Sequence, residues 1–526
     1  MNSTIKTLFA LAATAVCFWA ASCSKDNVTV EEFTATMEEC TEQDSKTTLH
    51  NGFLYWQQGD QIKVYGNSGN YGVYTGNNVG GVTTFSLTSG DPGSGGYTAI
   101  YPASAANDDG TIELPAVQVT NDGSLTGFPM YATSSTTDLE FMHLCGVLRL
   151  RLQKSGFSVS AIEITSDVEL TGRHSITVSG GEPSLTYVSY GAGNPHKSVM
   201  LVCNTAQNIG SPKDFYIYLP EHNYTSLRIR IYSNDGKVCT KTLNSGASVG
   251  ISRGRITTIT MSSSLSFTPN AGRLNGLFSV SDSKQVYFSQ GNLQYTTLGI
   301  HNTATGTMPG IWRFAPNQYD IVGEANSNIS STYTGWIDLF GWGTGSSPTL
   351  ASVDYSDYQI FMDWGGNAIS NGGNAINLWH TLSQTEWEYL FSTRTNITNL
   401  GTDNARYAKS RVNNVVGVIL FPDGYVHPTG IAVPIGINND DGGYNTNYTL
   451  SQWAEIEIAG AVFLPAVGDR WGMGVSYVDS DGYYWSSTIN TTETAYSMGF
   501  NGSWLGVAGG GWRNFGFSTR LVRDNN

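Results

Sequence analysis

The sequence predicts a mainly β N-terminal half, built as two β-sandwiches in series, followed by a separate α+β domain. Three observations predict it. Glycine is abundant, with 61 residues, and charged side chains supply only 13% of the chain, a mix that suits strands joined by tight turns better than surface helices. From residue 31 to residue 264 apolar side chains alternate or run in short blocks between clusters of Gly, Asn, Asp and Ser, with almost no helical period. Beyond residue 273 the composition shifts: all 13 tryptophans except Trp19 and Trp56 lie there, and cysteine disappears. At 526 residues the chain is also too long for one hydrophobic core, so a division into domains is expected.

The first element is a targeting segment. Lys6 precedes an apolar run over residues 7–21, too short to span a bilayer comfortably and of the length of a secretory signal. The run ends in Ala20-Ala21-Ser22-Cys23, which resembles a bacterial lipobox and departs from it at Ala20, where Leu is usual. Ordinary signal-peptidase cleavage near Ala21 is the alternative. The resemblance implies a lipoprotein signal peptide over residues 1–22, lipidation at Cys23 and a tether over residues 23–46. Ser24-Lys25-Asp26 is similar to a short acidic tag that sends lipoproteins to the outer face of some Gram-negative bacteria, so an exported, outer-membrane-anchored protein is expected. The 27 basic and 42 acidic residues give a net charge of −15 with no Lys/Arg cluster, which excludes nucleic acid as a partner. Cys40, Cys145, Cys203 and Cys239 show no CxxC spacing. Cys145 falls in the apolar strand FMHLCGVLRLRL and is expected to be a buried thiol, while the disulfide state of the four is left open.

Strand text continues with YWQQGDQIKVY, GGYTAIYPA, DFYIYLP, SLRIRIYS and RITTITM, with a break near Ser155. The expected sandwiches therefore cover residues 47–155 and 156–264. The order FTATMEE, KTTL, YWQQGDQIKVY, GGYTAIYPA, LPAVQ, FPMYA and LEFMHLCGVLRLRL resembles the fimbrillin-type pilins and their surface-lipoprotein relatives. That resemblance implies a pair of transthyretin-like sandwiches. It also implies assembly with pilin subunits by donor-strand addition, a strand of one subunit filling an open sheet edge of another. Stalk pilins open that edge by Arg-directed cleavage. Here no Arg precedes Arg149, and Lys46 is the only Lys or Arg between Lys25 and Lys63.

A linker over residues 265–273 leads into the C-terminal domain, 274–526. TEWEYL marks a helix start: Ser383 or Thr385 can cap it, and Glu386 and Glu388 suit its positive end. LSQTEWEYL, GYYWSST (482–488) and FSTRLV (517–522) resemble the formylglycine-generating-enzyme branch of the C-type lectin fold. Two uses of that fold compete: oxidative catalysis, as in the sulfatase-modifying-factor superfamily, and ligand display, as in variable receptors diversified by retroelements. Catalysis of the first kind needs a pair of copper-binding thiolates, and this half has no cysteine. His301, His380 and His427 show no iron-ligand spacing. A non-enzymatic binding domain is the expectation.

Within that domain Trp485, Tyr496, Phe500, Phe517 and Val522 are expected to point inward, with Arg513 and Arg520 buried as pairing or capping groups. Residues 489–494 and 501–512 are rich in Asn, Thr, Gly and Trp and read as loops on a rigid frame. They supply the candidate ligand-binding residues Asn490, Thr492, Glu493, Asn501, Trp504, Trp512 and, just beyond, Asn514. No cofactor is expected. Calcium is the one ion the sequence accommodates, through Asp440 and Asp441 or Asp479 and Asp481, although Asx-Gly turns explain the same residues. The whole reads as a surface adhesin, a pilus tip or accessory fimbrial subunit binding a glycan or a protein.

Overall fold

The computed structural model describes residues 30–42, 55–188, 196–243, 248–262, 265–269, 272–297, 310–395 and 397–525. The signal segment, Cys23 and Lys46 lie outside the described residues. The chain is mostly β, and among the described residues no helix is long and apolar enough to cross a membrane.

Strands Glu32–Met37, Asp138–His143, Met130–Ser134, Tyr97–Tyr101, Gln61–Gly66, Tyr71–Gly76 and Val82–Gly90 hydrogen-bond in that order into a closed barrel. Alternate side chains fill it, among them Phe33, Ile62, Val64, Tyr74, Phe85 and Phe141, with Trp56 packed edge-on against Phe85 and Phe141. The strand Glu32–Met37 closes the ring. It runs antiparallel to Val82–Gly90, with Phe33 opposite Phe85, and parallel to Asp138–His143, with Ala35 opposite Leu139. Two expectations are thereby corrected. The segment 23–46 is more than a tether, because FTATM buries Phe33 and Ala35 at the strand period. The first unit is a closed barrel rather than a two-sheet sandwich, because that strand pairs on both sides.

The second unit is a sandwich. One sheet orders Lys213–Pro220, Cys145–Leu152, Arg255–Met261 and Thr41–Glu42; the other orders Val238–Leu243, Leu227–Ser233, Ser158–Ser166, Ser198–Asn208 and Val117–Thr120. Leu148, Leu150, Leu152 and Ile217 from the first meet Ile162, Ile164, Leu201 and Ile229 from the second. The expected break near Ser155 is corrected too: Cys145–Leu152 is a central strand of this sandwich, and Val117–Thr120 reaches back into it to pair with Met200–Cys203. A core including Cys40, Phe128, Tyr131, Cys145 and Tyr218 joins barrel and sandwich. All four described cysteines are free and buried.

The C-terminal unit brings its own ends together. Arg273–Ser279 pairs with Gln285–Ser289, which pairs with the final strand Leu521–Asp524, Phe288 standing opposite Val522. The helix Gln384–Glu388 begins as expected: Ser383 and Glu386 form a reciprocal capping box. A second helix, Leu450–Ile458, has the same device in Thr449 and Gln452. The unit is seated on the second sandwich through Val322, Ala325 and Trp336, packed with Ala161, Met200 and Tyr232.

Candidate functional site

The opening of the candidate surface is a three-stranded antiparallel sheet of Gly482–Ile489, Thr494–Phe500 and Leu505–Trp512. It has core on both faces. Tyr484, Met498 and Phe500 enter one cluster; Trp485, Ala495 and Phe517 enter another. Trp485 lies against Phe517 with ring centroids 4.4 Å apart, and its Nε1 donates to the Phe340 carbonyl at 2.7 Å. Phe517 and Val522 are buried as expected. Tyr496 is a correction: on the face of Met498 and Phe500 but nearer the end of the sheet at Thr494, it is only half-buried.

This sheet separates the predicted site residues. Because Thr494 pairs with Trp512 and Phe500 with Leu505, the turn 490–493 and Trp512 lie at one end, and the turn 501–504 at the other. Six residue steps at about 3.3 Å each put the two ends roughly 20 Å apart. The expected loop over 501–512 is therefore a turn followed by a strand.

At the first end Asn490 donates to Thr494 Oγ1 (3.1 Å), and the Thr491 and Thr494 hydroxyls bond each other (2.8 Å), so the turn stitches itself and leaves Thr492 exposed. Trp512 is 45% exposed, its ring 6.1 Å from that of Tyr355. The Glu493 carboxylate beside Tyr355 holds that phenol above its ordinary value. Arg513 organises this end from beneath, 1% exposed: its backbone N–H donates to Glu493 O, its guanidinium donates to Thr491 O, and it lies over the Trp342 ring. Asn514 is a correction. At 6% exposure it cannot meet a ligand; its Nδ2 donates to the Val353 carbonyl at 2.6 Å and so supports the neighbouring loop.

Four exposed residues at this end escaped the sequence reading: Val353, Tyr355, Trp471 and Met473. Trp471 pairs with Gly474 across the two-residue turn Gly472-Met473, and Gly472 adopts φ +58°. A Cβ at Gly472 would sit 3.0 Å from Val353 Cγ1, so the hairpin touches the loop that carries Tyr355. Trp471 is 57% exposed. The signal was WGMG, two glycines within four residues, which mark a tight turn and leave its large side chains outside a strand core.

At the far end Asn501 accepts from the Ser503 and Trp504 backbone N–H groups and donates to Asp481 (3.3 Å). Trp504, 37% exposed, leans on Tyr483. The acidic candidates near by are engaged internally. Asp479 accepts from Val416 N (2.8 Å), Asp481 from Ser480 Oγ (2.6 Å) and Tyr483 OH (3.1 Å), and Asp440 from Tyr407 OH, while Asp441 stays in an exposed turn. Burial, then the charge of Asp481, pushes Asp469 up to about 6. Among the described residues no group of three His, Cys, Asp or Glu side chains is placed to hold a metal ion.

No family model matches the chain, and no curated protein matches it. Among solved structures it is similar to a candidate cell adhesion protein from Bacteroides ovatus, with 15% identity over 46% of this chain and 95% of that one at a TM-score of 0.30. It is also similar to a fimbrial protein from the same organism, with 12% identity over 94% of this chain and 99% of that one at a TM-score of 0.22. A tip fimbrial protein from Porphyromonas gingivalis, truncated at its C-terminus, is 11% identical over 45% of this chain and 98% of that one, with a TM-score of 0.22.

Proposed function

We propose that this protein is a cell-surface adhesin whose C-terminal unit, a non-catalytic lectin-fold domain, binds a glycan or protein ligand through the face around Trp471, Tyr355 and Trp512. One observation carries the reading. Three chain-distant segments converge to expose Val353, Tyr355, Trp471, Met473 and Trp512 together, on a frame whose neighbouring Trp342, Trp485 and Phe517 are buried. Exposing several large rings in one place is unfavourable for a free surface, and contiguous exposed apolar area marks interaction sites. The rim supplies hydrogen-bonding groups in Asn490, Thr492 and Glu493, as a ligand with polar edges requires. The sheet that joins the unit's first two strands to its last is consistent with a lectin fold.

The N-terminal half serves assembly in this reading. A pilin's donor strand would take the place of Glu32–Met37, offering apolar side chains for the seats of Phe33 and Ala35. Lipidation at Cys23 would hold the protein at the outer membrane. The test of the adhesin reading is the double variant Trp471→Ser, Trp512→Ser, measured beside the unaltered protein on glycan arrays and on intact bacterial and epithelial cells. Binding should fall at least tenfold with the melting temperature unchanged, since an interface aromatic is worth about 2 kcal/mol or more. A variant that melts normally and binds as well as the parent removes this face from the function.

A further inference from the structure

A cleft of about 470 Å³ opens where the barrel meets the second sandwich, far in sequence from the aromatic face. Trp56, Tyr101 and Phe128 wall it, Met37, Leu125 and Met130 add apolar surface, and Gln57, Asp122, Ser124 and Thr126 make the rest of the lining polar. Within this lining sits the carboxylate of Asp60. It accepts one hydrogen bond from Tyr101 OH (3.0 Å) and one from Gln57 N (2.7 Å). A carboxylate offers about four acceptor positions, so about two are left over.

Among the described residues no Lys, Arg or His makes an ion pair with Asp60, although those of Asp108, Asp109 and Asp214 are each matched to a cation. Burial accordingly raises the Asp60 carboxyl above its ordinary value, with only the bonds from Gln57 and Tyr101 offsetting it. A half-buried carboxylate without a counter-charge is better satisfied when something supplies one. Electron-rich ring faces beside it attract the same kind of group. Asp122 adds a second negative charge at the cleft.

We infer that this cleft receives the cationic side chain, lysine or arginine, of a partner protein. The ammonium or guanidinium head meets Asp60 among the rings, and the aliphatic stem lies along Met37, Leu125 and Met130. Such a side chain combines the two properties the lining asks for, an apolar shaft and a charged tip. The site lies beside Met37, the last residue of the strand that closes the barrel, so a partner seated here also contacts the N-terminal segment. The reading is independent of the aromatic face.

The experiment uses the full chain and short peptides as probes: acetyl-Gly-Lys-Gly-amide, its arginine and norleucine counterparts, and tetramethylammonium chloride, followed by calorimetric titration at low ionic strength. The lysine or arginine peptide should bind, the norleucine peptide at least tenfold more weakly, and Asp60→Asn should weaken the cationic peptide at least tenfold without altering the melt. Equal binding of norleucine and lysine peptides by the unaltered protein overturns the proposal, whatever the variant does. So does the absence of binding by either cationic peptide at millimolar concentration, and so does binding of tetramethylammonium alone, which would make the site one for a small ammonium ligand.

Discussion

Arg313 of the C-terminal unit places Nη1 3.3 Å from Oε1 of Glu163, in the middle strand of the second sandwich, and the two side chains are 1% and 0% exposed. The same carboxylate accepts from Tyr232 OH (3.0 Å) and pairs with Arg230 (3.4 Å). Arg230 and Arg228 both reach across to the Pro316 carbonyl, and Arg313 lies over the Trp336 ring. A charge cluster this dry has geometry as its main product: the partners cannot slide apart without stranding an ion. The aromatic face is thus carried on a unit fixed to the sandwich beneath it.

Glu163→Gln should loosen that joint. It keeps the shape and the bond from Tyr232 but leaves Arg313 and Arg230 without their carboxylate, and removing one partner of a buried pair costs about 3–5 kcal/mol. Scanning calorimetry should show the C-terminal unit melting earlier than in the parent. A coincident, unshifted transition would mean that the apolar contacts of Trp336 and Val322 alone hold the joint.

Acid should favour the C-terminal half through Asp320 and Asp338. Burial pushes both carboxyls up to about 6, against an ordinary 3.8. A carboxyl whose folded value exceeds its unfolded one holds its proton more firmly when folded. Its contribution is therefore fully present below about pH 4 and is lost as pH rises through about 6. Asp320→Asn mimics the protonated form, so the variant should match the parent near pH 4 and be the more stable near pH 8. Urea unfolding of both proteins from pH 4 to pH 8 checks this, and parallel stability curves would rule out Asp320 as a source.

The buried thiols should be unreactive in the folded protein. Burial pushes Cys40 and Cys203 up to about 12 and raises Cys145 as well, so almost no thiolate exists at neutral pH. Labelling with a disulfide reagent should be slow in buffer and rapid in denaturant. Fast labelling of a native thiol would show that its surroundings open.

Legibility followed range. Ser383 and Glu386 lie three residues apart, and their capping box was readable because both partners are local. Thr449 and Gln452 carry the same local signal in TLSQWAEIEI. The inward Trp485 and Phe500 followed from alternation within short strands. Glu163 and Arg313, 150 residues apart, have no local signature, because each looks like a surface charge until the two units meet. The same holds for Glu32–Met37, whose alternation was visible but whose two partner strands were not. At the candidate face the sequence led to Trp512 and the turn 490–493, missed Trp471 and Tyr355, and admitted Asn514, whose burial depends on the distant Val353 carbonyl.

The sharpest contrast lies between tryptophans of one unit. Trp485 is 1% exposed, packed on Phe517 and bonded to the Phe340 carbonyl, so Trp485→Ala removes a large buried side chain and should cost about 3–5 kcal/mol. Trp471 and Trp512 stand on the aromatic face with much of each ring in water, and truncating them should change stability by about 0.5 kcal/mol each. Trp504 is intermediate: it shields Gly499 and Gly506 and leans on Tyr483, so Trp504→Ala should fall between the two. Thermal melts of the single variants, read beside cell binding, separate packing from recognition. Trp471→Ala and Trp512→Ala should melt like the parent and bind poorly, whereas Trp504→Ala, roughly 20 Å away along the sheet, should keep most of its binding. If Trp504→Ala alone lost binding while the Trp471 and Trp512 variants kept it, recognition would belong to the turn 501–504.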